Sequence, residues 1–270
     1  MLDKGERYPE QWKVKIGRGG KGGSIVFPSF ALAQKYIREH NIPTLYLARV
    51  AQKQKESNGF SRAKVISNSI NKCFMVEAIN SQEGVQETGS AFCVKKNYFI
   101  TCAHVIKHYN KNKQLDATGF DSNIFVNLVQ NGSWYRAEVV NVNLEWDIAL
   151  IKCDVDVEPF ELDTSFELGE DIVAIGSPHG YENNVSAGTV GSVNRKIFSY
   201  PEAPEYLFVD LAVFPGSSGG PVIKEENGKV VGMVTMIISD EGGYGLNASL
   251  SSSYIEKFCI DNIEGFLASN

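Results

Sequence analysis

The chain has 270 residues, 43% of them hydrophobic and 21% charged, a composition that excludes a disordered or low-complexity protein and leaves enough apolar surface for a real core. No apolar run approaches the ~18 residues of a membrane-spanning helix, and residues 1–6 open a polar stretch, so neither a membrane role nor an export signal is expected. The net charge of −6 divides into +9 over residues 1–72 and −15 over the remainder, which marks a basic N-terminal unit, residues 1–71, distinct from an acidic body, residues 72–270.

Residues 12–16 alternate like a strand, residues 17–23 form a glycine-rich turn, and residues 24–27 return as the hairpin partner. A helix is expected over residues 30–40, with Ser29 as its N-cap and Asn41 and Pro43 at its end. Residues 44–50 read as a strand and residues 52–64 as a polar, loose stretch, giving a small β-β-α-β appendage. The glycine run carries Arg18 and Lys21 but matches neither phosphate-binding glycine pattern, so it reads as a hairpin loop and not as a nucleic-acid or phosphate site.

From Lys72 the pattern changes to short β runs. Residues 73–77, 90–94, 98–101, 124–129, 134–142 and 148–153 form one set of six strands, and residues 172–176, 188–193, 207–212, 221–223, 230–238 and 245–250 form a second. Residues 154–163, acidic and containing Pro159, connect them, and one helix is expected over residues 252–261. Six short strands twice over predict an all-β fold of two barrels, about 72–153 and about 164–250.

The five cysteines, Cys73, Cys93, Cys102, Cys153 and Cys259, are odd in number, widely spaced and set in apolar segments. They read as buried free thiols, from which a reducing, cytoplasmic setting is expected.

Phe214-Pro215-Gly216-Ser217-Ser218-Gly219-Gly220-Pro221 is a serine turn framed by glycines, able to lift a hydroxyl from the backbone and aim amide N–H groups at one point. Acyl transfer needs both, because a neutral serine requires an adjacent base and the oxyanion formed requires donors. His104 ends a hydrophobic strand where a short helix begins, a rigid place for a general base. His104 and His108 stand four apart as in H-E-x-x-H zinc helices, but Val105 replaces the glutamate and no third ligand is evident, so no metal is expected. His40 and His179 read as structural or solvated. Asp147 opens the apolar strand 148–153 and requires a partner where it is buried; an imidazole N–H from His104 or local backbone amides would each serve.

Together, Thr101-Cys102-Ala103-His104-Val105, Asp147-Ile148-Ala149-Leu150 and Gly216-Ser217-Ser218-Gly219-Gly220-Pro221 resemble, in that order, the signature segments of the trypsin-like serine proteases, most closely the HtrA (Deg) type. Gly89-Ser90-Ala91-Phe92, the segment from Val173 to Gly180 and the segment from Asp210 to Gly216 are similar to further family segments, so the resemblance spans about residues 72–262. It implies a chymotrypsin-like double β-barrel with a C-terminal helix, His104 and Asp147 on the first barrel and Ser218 on the second, acting as base, orienting carboxylate and nucleophile. The N–H groups of Gly216 and Ser218 would form the oxyanion hole, and Ala212, Thr235, Met236, Ile237 and Gly245 the primary pocket. No acidic residue stands at the pocket floor, so an apolar residue is expected before the cleaved bond. A polypeptide is then the substrate, with no cofactor.

The chain departs from the family pattern at three places. Val105 stands where secreted trypsin-like enzymes carry a cysteine, and Ser217 stands where they carry an aspartate that pairs with a new N-terminus. HtrA enzymes usually continue into a PDZ domain, which is not expected here. The basic unit would instead dock a regulator. The competing readings are a protease-fold binding module without turnover and a nucleic-acid-associated protein that uses the basic segment.

Overall fold

The computed structural model describes residues 11–15, 24–27, 47–50, 62–80, 86–106, 124–200, 202–239 and 245–267. The chain divides into two compact units, Met1–Asn58 and Gly59–Asn270. In the first, β1 (Gln11–Lys15), β2 (Ser24–Phe27) and β3 (Leu47–Val50) form an antiparallel sheet in the order β2-β1-β3. Trp12 faces Phe27 and Lys15 faces Ser24 in register, so the expected hairpin forms. The expected helix over 30–40, with His40, and the glycine run lie outside the described residues.

The second unit opens with α1 (Arg62–Ile70), where a loose polar stretch was expected as far as Lys64. Val65 and Ser69 are buried and Ile66 and Ile70 pack against the core, two pairs each four residues apart and so each stacked along the helix. Helix α1 therefore belongs to the barrel unit, which begins ahead of Lys72.

Twelve strands follow. β4 (Cys73–Asn80), β5 (Gln86–Lys95), β6 (Tyr98–Thr101), β7 (Ile124–Gln130), β8 (Ser133–Asn143) and β9 (Ile148–Lys152) close a barrel in the order β4-β5-β6-β9-β8-β7, with the short helix α2 (Ala103–Ile106) after β6. β10 (Asp171–Gly176), β11 (Asn184–Lys196), β12 (Glu205–Val209), β13 (Pro221–Lys224), β14 (Val230–Ser239) and β15 (Gly245–Ser251) close a second in the same relative order. A final helix, α3 (Ser252–Asn262), buries Ile255, Phe258 and Cys259.

Strand β10 shows why its sequence is apolar without alternation. Ile172 and Ala174 face the core of the second barrel, whereas Val173 and Ile175 face the core that continues into the first. A strand covered on both faces loses the polar half of its period-two pattern. β13 divides in the same way, with Val222 in one core and Ile223 in the other. The two barrels are thus joined by apolar packing.

One buried ionic group locks the start of the second barrel. The Lys224 ammonium, 9% exposed, lies 3.0 Å from both the Asp163 and the Glu170 carboxylates. Removing the cation leaves two carboxylates with little solvent to replace it. Lys224→Ala is expected to cost about 3 kcal/mol of stability, read from the midpoint of urea unfolding; an unchanged midpoint would mean that the carboxylates re-pair with water at no cost.

Candidate active site

Asp147 is fixed by the turn that precedes β9. Its backbone sits at φ +54°, a left-handed conformation that aspartate tolerates better than most residues. Its carbonyl accepts the Ala103 N–H at 3.2 Å. Its carboxylate accepts the His104 backbone N–H at 2.9 Å and lies 2.7 Å from His104 Nδ1. One residue thus caps the first turn of α2 and orients the imidazole, with Nδ1–H as donor and Nε2 left facing outward. Burial works to lower the His104 pKa, but the Asp147 hydrogen bond and charge, with Glu87 adding to them, raise it above the ordinary 6.5.

The Cys102 thiol lies within 4.8 Å of the ligand atoms of His104 and Asp147. It donates to the Val234 carbonyl at 3.3 Å. Burial first, and then the Asp147 charge, push its pKa well up, so it stays a neutral donor.

Residues 214–220 come to the same place by close backbone contact. Gly219, at φ +88°, is so near β5 that a Cβ there would lie 2.1 Å from the Ser90 carbonyl. The Ser90 N–H donates to the Ser218 carbonyl at 2.8 Å, and Gly219 N–H to the Val234 carbonyl at 2.8 Å. Ser218 is therefore set against β5, the neighbour of the strand β6 that leads into His104. Its hydroxyl donates to the Thr235 carbonyl at 3.4 Å, a long and weak bond.

The expected oxyanion donors sit in a tight turn. The Ser217 N–H donates to the Phe214 carbonyl at 2.9 Å, and Pro215 and Gly216, the latter at φ +97°, occupy its centre, which is the pattern of a type II turn. The Pro215 carbonyl accepts the His179 N–H at 2.8 Å. In a trans peptide the carbonyl and N–H point oppositely, so the Gly216 N–H points away from His179. Among the described residues, the Gly216 and Ser218 N–H groups donate no hydrogen bond. Ser217 makes a local contact in place of an ion pair, its Oγ accepting the Phe214 N–H at 3.3 Å.

Four of the five expected pocket residues lie on β14 and β15, and Ala212 follows β12. Thr235 sits at a register shift in β14, buried, its hydroxyl donating to the Ala248 carbonyl at 2.9 Å. Met236 packs on the core and Ile237 is 47% exposed. Ala212 is fixed by its N–H to Ser186 Oγ at 2.9 Å. Gly245 pairs with Ser239, four positions from Thr235 and so about 13 Å along the strand. Sequence reasoning missed Asn247, whose side chain donates to the Leu211 carbonyl beside Ala212. It also missed Ser90, whose role no motif spacing signals beyond its place in a family-like segment. His179 contributes through its backbone N–H alone, and its ring stands 6.1 Å from that of Phe214. His108 lies outside the described residues.

Residues 89–233 match the model of the trypsin-like peptidase domain. The chain is 36% identical over 163 residues to a probable periplasmic serine endoprotease DegP-like from Hahella chejuensis, covering 59% of this chain and 32% of that one. It is 31% identical to serine protease HTR4 from Rattus norvegicus, covering 70% of this chain and 36% of the relative. The chain thus spans about a third of the length of these relatives. Among solved structures, HtrA-type protease AlgW with tripeptide is similar at a TM-score of 0.62 and 22% identity, over 76% of this chain and 64% of that one.

These comparisons overturn the cytoplasmic, intracellular expectation, since several relatives are named periplasmic endoproteases. The cysteine argument fails for a physical reason. All five thiols are free and buried, and burial pushes them up, Cys93 to about 12 and Cys153 to about 11. Thiols shielded in this way stay unpaired in an oxidising compartment as well as in a reducing one.

Proposed function

The chain belongs to the HtrA-type trypsin-like serine peptidases, and from that premise we propose that it is an endopeptidase working through Ser218, His104 and Asp147. Ser218 Oγ attacks the peptide carbonyl carbon while His104 Nε2 takes its proton. The oxyanion is held by the Gly216 and Ser218 N–H groups. Collapse expels the amine, which takes the proton from His104, and water then hydrolyses the acyl-enzyme by the same two steps. The observation that carries this reading is the 2.7 Å contact between His104 Nδ1 and the Asp147 carboxylate, together with a turn whose Gly216 and Ser218 N–H groups donate no hydrogen bond among the described residues.

Ala212, Thr235, Met236 and Ile237, with Gly245 at the far end, are the proposed primary pocket; these five residues carry no charge, which favours an apolar side chain before the cleaved bond. The basic N-terminal unit, bounded by the structure at Met1–Asn58, docks a protein regulator of opposite charge. A fluorophosphonate probe tests the reading: the full chain is labelled at Ser218, and labelling is lost in His104→Ala. No labelling of the full chain under any condition would favour a binding module without turnover. Labelling of residues 59–270 that responds to cell extract as the full chain does would remove the regulatory role of the basic unit.

A further inference from the structure

We infer that Ser90 is a positioning residue for the oxyanion hole, holding the Phe214–Ser217 turn in the one form that presents the Gly216 N–H to substrate. The inference rests on the peptidase reading of the site.

A turn with proline and then glycine at its centre has two accessible forms. Types I and II differ mainly in the orientation of the central peptide, here Pro215–Gly216, and glycine at the third position tolerates either. In the observed form the Gly216 N–H is available to an oxyanion. In the flipped form the Pro215 carbonyl takes its place, and a carbonyl repels the developing negative charge. Trypsin-like enzymes with an aspartate before the nucleophile can hold this loop by an ion pair. Ser217 carries no charge, so the loop must be held by neutral hydrogen bonds.

Ser90 supplies a bond that reaches the turn from the other barrel. Its hydroxyl is 1% exposed, lies 2.7 Å from the Gly216 carbonyl and 2.8 Å from the Ser177 backbone nitrogen. The Ser177 N–H can only donate, so the hydroxyl accepts from it and must give its own proton to Gly216. Its rotor is thereby fixed without ambiguity. Ser177 begins the segment whose His179 N–H holds the Pro215 carbonyl. The Ser90 hydroxyl thus pins the peptide after Gly216 directly, and the peptide before Gly216 through the segment 177–179. The Ser90 carbonyl accepts the Thr101 hydroxyl at 2.7 Å, which ties the same residue to the strand leading to His104. The base and the oxyanion donors are therefore referenced to one buried residue, the turn through its hydroxyl and β6 through its main-chain carbonyl.

The test compares the full chain with its Ser90→Ala variant. We expect kcat to fall about 10-fold to 100-fold with KM within about 2-fold, since loss of a whole oxyanion donor costs about 10²–10³. The affinity of a peptide boronate, which forms a tetrahedral adduct, should fall in parallel, while affinity for a product peptide holds. A merely structural role would lower the melting temperature and the fraction of active protein but leave this split absent. Ser90→Cys, of similar size and a weaker donor, should show an intermediate loss and serves if the alanine variant does not fold. Amide exchange at His179, whose N–H donates to the Pro215 carbonyl, needs no turnover and should accelerate in both variants. An unchanged kcat, or a KM change equal to the kcat change, would overturn the inference. Unchanged amide exchange would overturn it even for a chain that hydrolyses nothing, whereas accelerated exchange without turnover in the wild type would fault the peptidase reading alone.

Discussion

Ser218→Ala is expected to lower kcat on a denatured protein substrate by about 10⁵-fold to 10⁶-fold, because it removes the hydroxyl proposed to attack. The proposed oxyanion donors are backbone groups and remain, so the residual rate should be that of a bound but unactivated peptide. Folding should be untouched. The hydroxyl makes one long bond, 3.4 Å to the Thr235 carbonyl, and the backbone contacts of Ser218 with Ser90 do not involve it. Thermal unfolding of the variant should fall within about 2 °C of the wild type, as expected for a change well under 1 kcal/mol. Ser217→Ala is the matched control, since that hydroxyl only accepts the Phe214 N–H at 3.3 Å, and it should retain most activity. Activity that survives in the Ser218 variant and vanishes in the Ser217 variant would exchange their roles.

Asp147→Asn should lower kcat by about 10⁴-fold with the fold retained. The carboxylate accepts two N–H groups of His104, one from the backbone and one from the ring. An amide in its place can turn its own N–H toward Nδ1, moving the ring proton to Nε2 and leaving no base facing Ser218. The pH profile separates this effect from a general loss of structure. The His104 pKa lies above 6.5 because the Asp147 hydrogen bond and charge outweigh burial, which acts to lower it. Catalysis needs the neutral ring, so the acid limb of kcat/KM in the wild type should have its midpoint above pH 6.5. Loss of the Asp147 charge should move that midpoint to lower pH.

The sign for stability follows from the same shift. A folded-state pKa raised above the unfolded one stabilises the protein fully below about pH 6.5, and that contribution is lost as pH rises through the folded value. Asp147→Asn should therefore destabilise more at pH 5.5 than at pH 8.5. Equal destabilisation at both values would show that Asp147 acts on folding only as a cap for α2.

Much of the barrel fold was legible because its physics is local. Each expected strand from residue 73 onward corresponds to an observed one, since short β-branched and aromatic runs between turn residues have few alternative structures. Strand lengths were less legible: β11 runs over Asn184–Lys196 where residues 188–193 were expected. Its ends are polar and exposed, and pairing with β10 and β12 draws them into the sheet. Helix α1 was missed for a related reason. Its apolar contacts with the core are Val65, Ile66 and Ile70, and the buried Ser69 beside them is polar, so its short apolar stripe hardly stands out from a polar segment.

The sequence by itself determined the kind of chemistry. A serine in a glycine-rich turn, a histidine at the end of an apolar strand and an aspartate at the start of another are each tied to local backbone, and their order along the chain carries the family resemblance. Only the tertiary structure decided how the turn at 214–217 is held. The Ser90 hydroxyl and the Gly216 carbonyl are 126 residues apart in sequence and 2.7 Å apart in space, and no periodicity or motif encodes such a contact. It exists because alternate residues of β10 and β13 face the two cores, fixing one barrel against the other and bringing β5 onto the turn.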